Sequence, residues 1–165
     1  MILSDGSIRK LVDKFDLIFP YTDKQLQPAS YDVILDDINL TPNTKEDDIF
    51  KTEWLIHAKQ FVLGTTIEKI CLPDNVVARI EGKSSWARKG IIVHTAGFID
   101  PGFCGTLTLE ITNLSDKAIF LRRGYLIAQI AFQYMDKPAE KPYGHKDLNS
   151  HYQGQSGITN SVLDI

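Results

Sequence analysis

The chain has 165 residues, with 43% hydrophobic and 24% charged side chains and a net charge of −3. These values are typical of one soluble globular domain, and the acidic balance argues against a nucleic-acid binder that relies on a general basic surface. No stretch reaches 18 consecutive apolar residues, so no membrane span is predicted, and the first residues lack the pattern of a secretory signal. The two cysteines, Cys71 and Cys104, cannot build a disulfide framework and fit a reducing cytoplasm.

The N-terminal segment is predicted to form a helix, whereas the rest of the chain favours strands. Apolar side chains recur between Ile8 and Phe15 at the spacing of one helix face, and Ser4 or Asp5 can cap the N-terminus. From Gln27 onward, short β-branched runs alternate with Gly, Pro, Asn and Asp. The predicted strands span residues 31–35, 59–63, 76–81, 91–94, 106–112, 118–121 and 125–133.

Many short strands at nearly regular spacing predict a mainly β fold, a sandwich or a distorted barrel rather than a βαβ fold. Turn sequences at 73–75, 100–102 and 123–124 separate some of these strands. Since no internal repeat or linker divides the chain, residues 1–165 are predicted to be one domain. Residues 137–165 are polar and rich in Gly, Ser, Asn and Gln, so we expect them to form a mobile C-terminal tail.

The predicted strand 106–112 carries a carboxylate on its polar face. Leu107, Leu109 and Ile111 alternate with threonines and Glu110, and a period of two places the apolar side chains toward the core. Glu110 is therefore predicted to point away from the core. The alternation alone leaves open whether this carboxylate is simply solvent-exposed or functional.

Several common catalytic sites are missing from the sequence. The 4 histidines form no HExxH or HxE pattern and no PCxxC follows, so a zinc hydrolase or a zinc-type deaminase is not predicted. Gly82-Lys83-Ser84 resembles the end of a Walker A loop, but Val77 stands where that motif needs a glycine. There is no GxSxG and no GxGxxG motif. His94, at a predicted strand end, is interpreted as a packing or hydrogen-bonding residue.

Two segments between residues 81 and 110 concentrate polar chemistry. Residues 82–88 combine two cations, two hydroxyls and backbone N–H groups, which suits an anion cradle, although ordinary surface loops also contain Lys and Ser. Residues 97–103 form a predicted turn in which Pro101 presets φ and Asp100 precedes it. The Asp100 carboxylate can cap the turn or take a functional role, and the residues alone leave both readings open.

Three segments together resemble the signature sequences of the dCTP deaminases, which belong to the trimeric dUTPase superfamily. They are GKSSWAR at 82–88, TAGFIDPG at 95–102 and TLE at 108–110. The resemblance continues through MILSD at 1–5, QPASYD at 27–32, GYLIAQ at 124–129, PY at 142–143 and YQGQ at 152–155. It implies a jelly-roll-like β fold, a homotrimer with active sites shared between subunits, and dCTP or dUTP as ligands.

The resemblance also implies roles for individual residues in a zinc-free deamination. Glu110 matches the carboxylate that takes a proton from the water attacking C4 of cytosine and then delivers protons to the leaving ammonia. Ser84 and Arg88 match residues that hold this water and pack near Glu110. Asp100 matches the residue at the deoxyribose 3′-hydroxyl, where a packed sugar pocket rejects ribonucleotides. The implied substrate-binding positions are Lys83, Ser84, Ser85, Trp86, Ala87, Arg88, Asp100, Thr108, Leu109, Glu110, Gln129, Tyr143, His151 and Gln155.

The loop before Asp100 resembles that of deaminases that form dUMP directly. Ala96 and Gly97 match those members, whereas deaminases that release dUTP usually carry His-Arg where this chain has Gly97-Phe98. A small glycine would leave space for a water near the phosphate chain. The resemblance therefore implies dCTP + 2 H₂O → dUMP + diphosphate + NH₃, with Mg²⁺ bound through the triphosphate, no metal ligand from a protein side chain and no zinc.

One departure and several alternatives accompany this reading. His151 stands where the family commonly has a lysine, so the γ-phosphate is held less strongly unless the imidazole is protonated or Lys146 compensates. A deaminase that releases dUTP, a dUTPase without deaminase activity and a nucleotide-sensing protein on the same fold are the alternatives. A plain dUTPase would not need Arg88 and Glu110 together. Inhibition by dTTP is a further expectation from the family.

Overall fold

Helix α1 (Asp5–Phe15) lies where the sequence predicts a helix, in a computed structural model that describes residues 1–39, 49–50, 52–94 and 97–162. Ile8 and Leu11 are buried, so the predicted apolar face is the one that packs on the core. Ser4 occupies the N-cap position, and its carbonyl accepts the Ile8 N–H at 2.9 Å. The predicted helix is therefore confirmed, although the Ser4 side chain makes no cap hydrogen bond.

The remaining elements are mostly short strands, with a 3₁₀ turn at Asp23–Gln25 and a one-turn helix α2 at Ser84–Ala87. The strands are β1 (Ile18–Phe19), β2 (Leu26–Gln27), β3 (Ser30–Asn39), β4 (Ile49–Phe50), β5 (Glu53–Ile56), β6 (Phe61–Cys71), β7 (Val76–Gly82), β8 (Ile91–His94), β9 (Cys104–Asn113), β10 (Ile119–Arg122) and β11 (Leu126–Tyr134).

The larger sheet has the order β7-β11-β3-β6-β9-β8, with β1 added beside β6 and β2 beside β3, and all of its pairs are antiparallel. A smaller sheet has the order β10-β5-β4. The two ends of the larger sheet approach each other at Gly82, where an added Cβ atom would lie 3.2 Å from the carbonyl oxygen of Val93. The sheet is thus nearly closed, which confirms the predicted mainly β, barrel-like fold.

Each of the seven predicted strands corresponds to an observed one, with shifted ends. The prediction at 59–63 corresponds to β6, which begins at Phe61 because Lys59 has a positive φ of 64° and belongs to the preceding turn. Strands β1, β2, β4 and β5 were not predicted. They are two to four residues long, and a run that short shows too little alternation to reveal a period.

Strand β9 confirms the predicted alternation. Leu107, Leu109 and Ile111 are buried in the core, whereas Glu110 lies on the opposite face and is partly exposed. Burying each of these side chains contributes about 1.5–3 kcal/mol to the hydrophobic stabilisation of the sheet. The strand that carries Glu110 is therefore fixed by the core on its other face.

The two cysteines form a disulfide, which corrects the expectation drawn from the sequence. Cys71 ends β6 and Cys104 begins β9, and the register places them directly opposite each other with their Cα atoms 4.0 Å apart. They are 33 residues apart along the chain. Strand register, rather than sequence spacing, decides such a pair, so the cysteine count alone could not show it.

A buried carboxylate holds strand β3 against β6 at an irregular point of the sheet. Glu68 is 1% exposed, and it lies where the β6–β9 register shifts. The Gln25 side-chain amide donates to its Oε1 at 2.6 Å, and the Ile34 N–H donates to its Oε2 at 2.9 Å. Burial raises the pKa of this carboxyl above its ordinary value of 4.5.

We expect Glu68→Gln to lower the free energy of unfolding by about 2 kcal/mol at low pH. The NH₂ group of the new glutamine must face either the Gln25 amide or the Ile34 N–H, and two donors cannot form a hydrogen bond with each other. The folded form binds the Glu68 proton more tightly than the unfolded form. The stability from the protonated carboxyl is therefore complete below about pH 4.5 and is lost as pH rises through the folded pKa. Denaturant titrations of both proteins should give a difference that shrinks with rising pH.

Glu140→Gln is the control for this experiment, since Glu140 is exposed. A difference between Glu68→Gln and the wild type that stays constant from pH 4 to pH 8 would contradict the assigned role of burial.

Candidate active site

Two different segments cover one edge of strand β9. Strand β8 pairs with its second half, from Glu110 to Asn113. The tail covers its first half, where the Gly154 N–H donates to the Cys104 carbonyl at 2.9 Å and the Thr106 N–H donates to the Gln155 carbonyl at 3.1 Å. Between the end of β8 and the tail, the edge of β9 opens into a cavity.

This cavity has a volume of about 590 Å³, within the usual range for small-molecule sites. Many of its lining residues were proposed as substrate-binding residues from the sequence. We call the following group the β9 half-site: Asp100, Thr108, Glu110, Tyr143 and Gln155.

The tail residues of the β9 half-site are held by the chain itself. The Tyr143 N–H donates to the Pro101 carbonyl at 2.7 Å, and the Tyr143 hydroxyl accepts the Tyr152 N–H at 3.0 Å. The Gln155 side-chain amide donates to the Thr106 carbonyl at 2.7 Å. The described part of the tail therefore lies on β9 and forms one wall of the cavity.

Asp100 has its carboxylate available at the cavity. The turn it precedes is closed by its backbone, because the Phe103 N–H donates to the Asp100 carbonyl at 3.1 Å. Its side chain is exposed and makes no hydrogen bond or ion pair with any described residue. Of the two readings left open by the sequence, the structure does not show the capping one.

Glu110 has a neighbour that the sequence analysis did not assign to the site. The His94 Nδ1 atom lies 3.3 Å from the Glu110 Oε2 atom, and the two residues are directly opposite in the β8–β9 register. The interpretation of His94 as a hydrogen-bonding residue is confirmed, but its partner depends on register and could not be read from the sequence.

Two aromatic residues of the cavity wall, Phe61 and Phe98, were not among the predicted site residues. Phe61 and Phe98 are 47% and 61% exposed and line the cavity together with Tyr152. Phe61 could not be recognised because it stands at the first position of a strand, where an exposed apolar residue has no distinctive spacing. Aromatic walls of this kind suit a flat, partly apolar ring such as a nucleobase.

A second group of predicted residues lies around α2 and β11. We call this group the α2 half-site: Lys83, Ser84, Ser85, Arg88 and Gln129. Ser84, Ser85 and Arg88 are exposed, and their side chains have no hydrogen-bond or ion-pair partner among the described residues. The helix therefore presents two hydroxyls and a guanidinium to a ligand or to another chain.

Lys83 is held by a buried carboxylate. Its Nζ atom lies 2.6 Å from the Asp32 Oδ2 atom, and Asp32 is almost fully buried on β3. The Gln27 side-chain amide donates to the same Oδ2 atom at 3.3 Å, whereas Asp32 Oδ1 is buried without a partner in the structure. On the neighbouring strand β11, Gln129 pairs in register with Asp32. Strand β3, strand β11 and the start of α2 therefore bring Asp32, Gln129 and Lys83 together.

Trp86 anchors α2 to the sheet. Its indole N–H donates to the Leu126 carbonyl at 3.0 Å, its ring lies 5.3 Å from that of Tyr125, and Lys89 lies over it at 4.9 Å. Ala87 is exposed on the same turn. For Trp86, the structure shows a role in positioning the exposed residues of α2.

Four predicted positions need separate comment. The Leu109 side chain is fully buried, so only its backbone is available to a ligand. His151 is exposed, and its Nε2 atom lies 3.2 Å from the Asn149 amide. Gly97 has a positive φ of 103°, and an added Cβ atom would meet nothing within 4 Å, which agrees with open space at this point. Ala96 lies outside the described residues.

The two half-sites do not meet within one chain. No residue of the α2 half-site lines the cavity, and no hydrogen bond or ion pair among the described residues joins the two groups. The expectation that Ser84 and Arg88 pack near Glu110 belongs to active sites shared between subunits, so contacts within one chain do not test it and it stays a prediction.

Comparison with known proteins identifies the family. The family model described as dCTP deaminase-like matches residues 2–135. The chain belongs to the dCTP deaminase-like family. A protein of Methanosphaera stadtmanae named "dCTP deaminase, dUMP-forming" is 42% identical over 178 residues, which cover 94% of this chain and 90% of that protein. A protein of the same name from Corynebacterium efficiens is 41% identical over 180 residues, covering 98% of this chain and 93% of that protein.

Solved structures agree with this family. A 2′-deoxycytidine 5′-triphosphate deaminase from Agrobacterium tumefaciens matches with a TM-score of 0.65 and 26% identity, over 81% of this chain and 48% of that one. The chain thus spans about half the length of that protein. A Staphylococcus bacteriophage 80alpha dUTPase with dUpNHpp has a TM-score of 0.52 and 16% identity, covering 84% of this chain and 94% of that one, and supports the fold alone.

Neither a membrane-spanning helix nor a metal-binding cluster is found in the part of the chain that the structure describes. No helix in the described ranges is long and apolar enough to cross a membrane. No group of three or more His, Cys, Asp or Glu side chains in the same ranges is arranged to hold a metal ion.

Proposed function

We propose that the protein deaminates dCTP and hydrolyses the triphosphate, giving dUMP, diphosphate and ammonia. The observation that carries this proposal is the pair of carboxylates, Glu110 and Asp100, in one cavity of nucleotide size. The relatives named as dUMP-forming dCTP deaminases support it, since they match nearly the whole chain. dUMP formed in this way would supply thymidylate synthesis.

Glu110 is the proposed proton carrier of the first step. It takes a proton from water as the oxygen bonds to C4 of cytosine, and it returns a proton to the amino group, which leaves as ammonia. A single carboxylate can perform both transfers, and the proposed step uses no zinc. The balance is one dCTP and one water consumed, and one dUTP and one ammonia formed.

Asp100 is the proposed base of the second step and also the contact for the deoxyribose 3′-hydroxyl. Its carboxylate, which has no partner among the described residues, accepts a proton from the water that attacks the α-phosphorus, and diphosphate leaves. The open space beside Gly97 leaves room for this water. Lys83, Ser85, Gln129, Tyr143 and Gln155 are the proposed triphosphate contacts, with His151 or Lys146 nearest the γ-phosphate.

Magnesium is proposed to enter with the triphosphate. Mg²⁺ keeps several waters and binds through substrate phosphates, so the proposed ion needs no ligand from a protein side chain. When bound, the ion neutralises charge on the phosphates.

The active protein is proposed to be a homotrimer in which one chain brings its α2 half-site to the cavity of a neighbour. Two observations support this arrangement: α2 presents Ser84 and Arg88 without partners among the described residues, and Glu110 lacks both inside its own chain. Residues 137–165 are proposed to close over the nucleotide and exclude water. The protein is proposed to act in the cytoplasm on the strength of its nucleotide-metabolising relatives alone, since the Cys71–Cys104 disulfide removes the argument from free cysteines. dTTP is proposed as an inhibitor.

Incubation with dCTP and Mg²⁺ tests the reaction directly. We expect dUMP, diphosphate and ammonia in equal amounts, and a loss of dUMP formation of at least about tenfold when EDTA removes the ion. CTP, the matched ribonucleotide, should be turned over at least about 100-fold more slowly than dCTP, because the sugar pocket excludes the 2′-hydroxyl.

The products distinguish the alternatives. Accumulation of dUTP without diphosphate would contradict the second step. Conversion of dUTP to dUMP without ammonia from dCTP would indicate a dUTPase, and binding without any product would indicate a nucleotide sensor.

A further inference from the structure

His94 contacts the proposed proton carrier directly. Its Nδ1 atom is 3.3 Å from Glu110 Oε2, with the His94 side chain 69% exposed and that of Glu110 37% exposed. No other side chain in the described part of the chain makes a hydrogen bond or ion pair with this carboxylate. The imidazole is therefore the group that constrains Glu110 within the chain.

The contact is built into the sheet. His94 ends β8 opposite Glu110 on β9, and the preceding residue, Val93, is buried and pairs with Ile111. Side chains of directly opposite residues on neighbouring antiparallel strands have their Cβ atoms about 4.5–5.5 Å apart. The buried neighbours hold both residues in register, so the two polar side chains meet on the same face.

The imidazole and the carboxylate lie between two depressions of the surface. Glu110 lines the 590 Å³ cavity. His94 lines a second cleft of about 310 Å³ together with Arg79 and Glu81 of β7. The loop residues Gly97 and Phe98 line both. His94 thus approaches Glu110 from the side away from the cavity.

We propose that His94 is a positioning residue that holds one carboxylate oxygen of Glu110 and leaves the other for water and the cytosine ring. This inference rests on the proposed deamination, because His94 acts through Glu110 and does not itself touch the nucleotide. A donor fixed on Oε2 limits rotation of the carboxylate, and oriented groups react faster than freely rotating ones.

Two substitutions of His94 test the inference. His94→Leu keeps the size and removes the donor, whereas His94→Asn places an amide donor near the position of Nδ1. We expect His94→Leu to lower kcat for ammonia release from dCTP about tenfold, with KM changed less than about threefold, and His94→Asn to recover most of the loss.

Hydrolysis of dUTP by the same variants is the internal reference, because that reaction needs no proton transfer by Glu110. Support for the inference is a fall in the ratio of dCTP to dUTP turnover in His94→Leu. An equal loss of both activities with a lowered Tm, or an unchanged kcat in both variants, would overturn it. Absence of ammonia from the wild-type reaction would instead overturn the proposed function, and with it this inference.

Discussion

Glu110→Gln is expected to stop ammonia release from dCTP while much of the dUTP hydrolysis remains. Glutamine has nearly the same shape as glutamate but cannot carry a proton between water and the amino group. Proton transfer by a positioned side chain contributes about 10²–10⁴-fold to a rate, so we expect a fall of at least about 10³-fold in kcat for deamination. Ammonia release and dUMP formation, measured with dCTP and with dUTP in parallel, check this result.

Asp100→Asn is the matched control, since it removes the other carboxylate of the cavity. It should allow deamination to continue at a reduced rate, so that dUTP accumulates in place of dUMP. Equal loss of both activities in both variants, with an unchanged Tm, would contradict the division of labour between these two carboxylates.

Chains carrying Glu110→Gln and chains carrying Arg88→Ala, each inactive alone, are expected to recover activity when they are produced together. If a site combines Glu110 of one chain with Arg88 of a neighbour, some sites in mixed trimers contain two intact groups. In each mixed trimer purified through both tags, one of the three sites combines the two intact groups, so we expect about one third of the wild-type deamination rate. Co-expression with two different tags, purification through both and assay of ammonia release measure the recovery.

The pair Ser84→Ala and Arg88→Ala is the control for complementation. Both changes lie in the α2 half-site, so every α2 in a mixed trimer lacks one of the two groups and no recovery is expected. Failure of the first pair to recover, in trimers shown to be mixed, would place the whole site inside one chain and contradict the proposed assembly.

The part of the fold that depends on local patterns could be predicted from the sequence. The alternation of Leu107, Leu109 and Ile111 placed Glu110 on the polar face, and the apolar spacing between Ile8 and Phe15 located helix α1. Both signals arise because one face of each element is buried in the core. The family resemblance then supplied the remaining site positions.

Contacts that depend on register could not be predicted in this way. Cys71 meets Cys104, and His94 meets Glu110, because strands far apart in sequence pair at particular residues. Nothing in the composition of either strand states that register. The position of the polar tail on β9 was missed for a related reason, since its hydrogen bonds come from Gly154 and Gln155 backbone atoms rather than from an apolar pattern.

One edge of β9 is shared by a strand and by the tail: β8 pairs with it from Glu110 to Asn113, and the tail bonds to it at Cys104 and Thr106. The Thr108 side chain, between these two parts, also accepts the Thr159 N–H at 3.2 Å. Loss of the tail would therefore expose backbone N–H and C=O groups of β9 beside Glu110, and such an unpaired edge is a template for pairing with another chain.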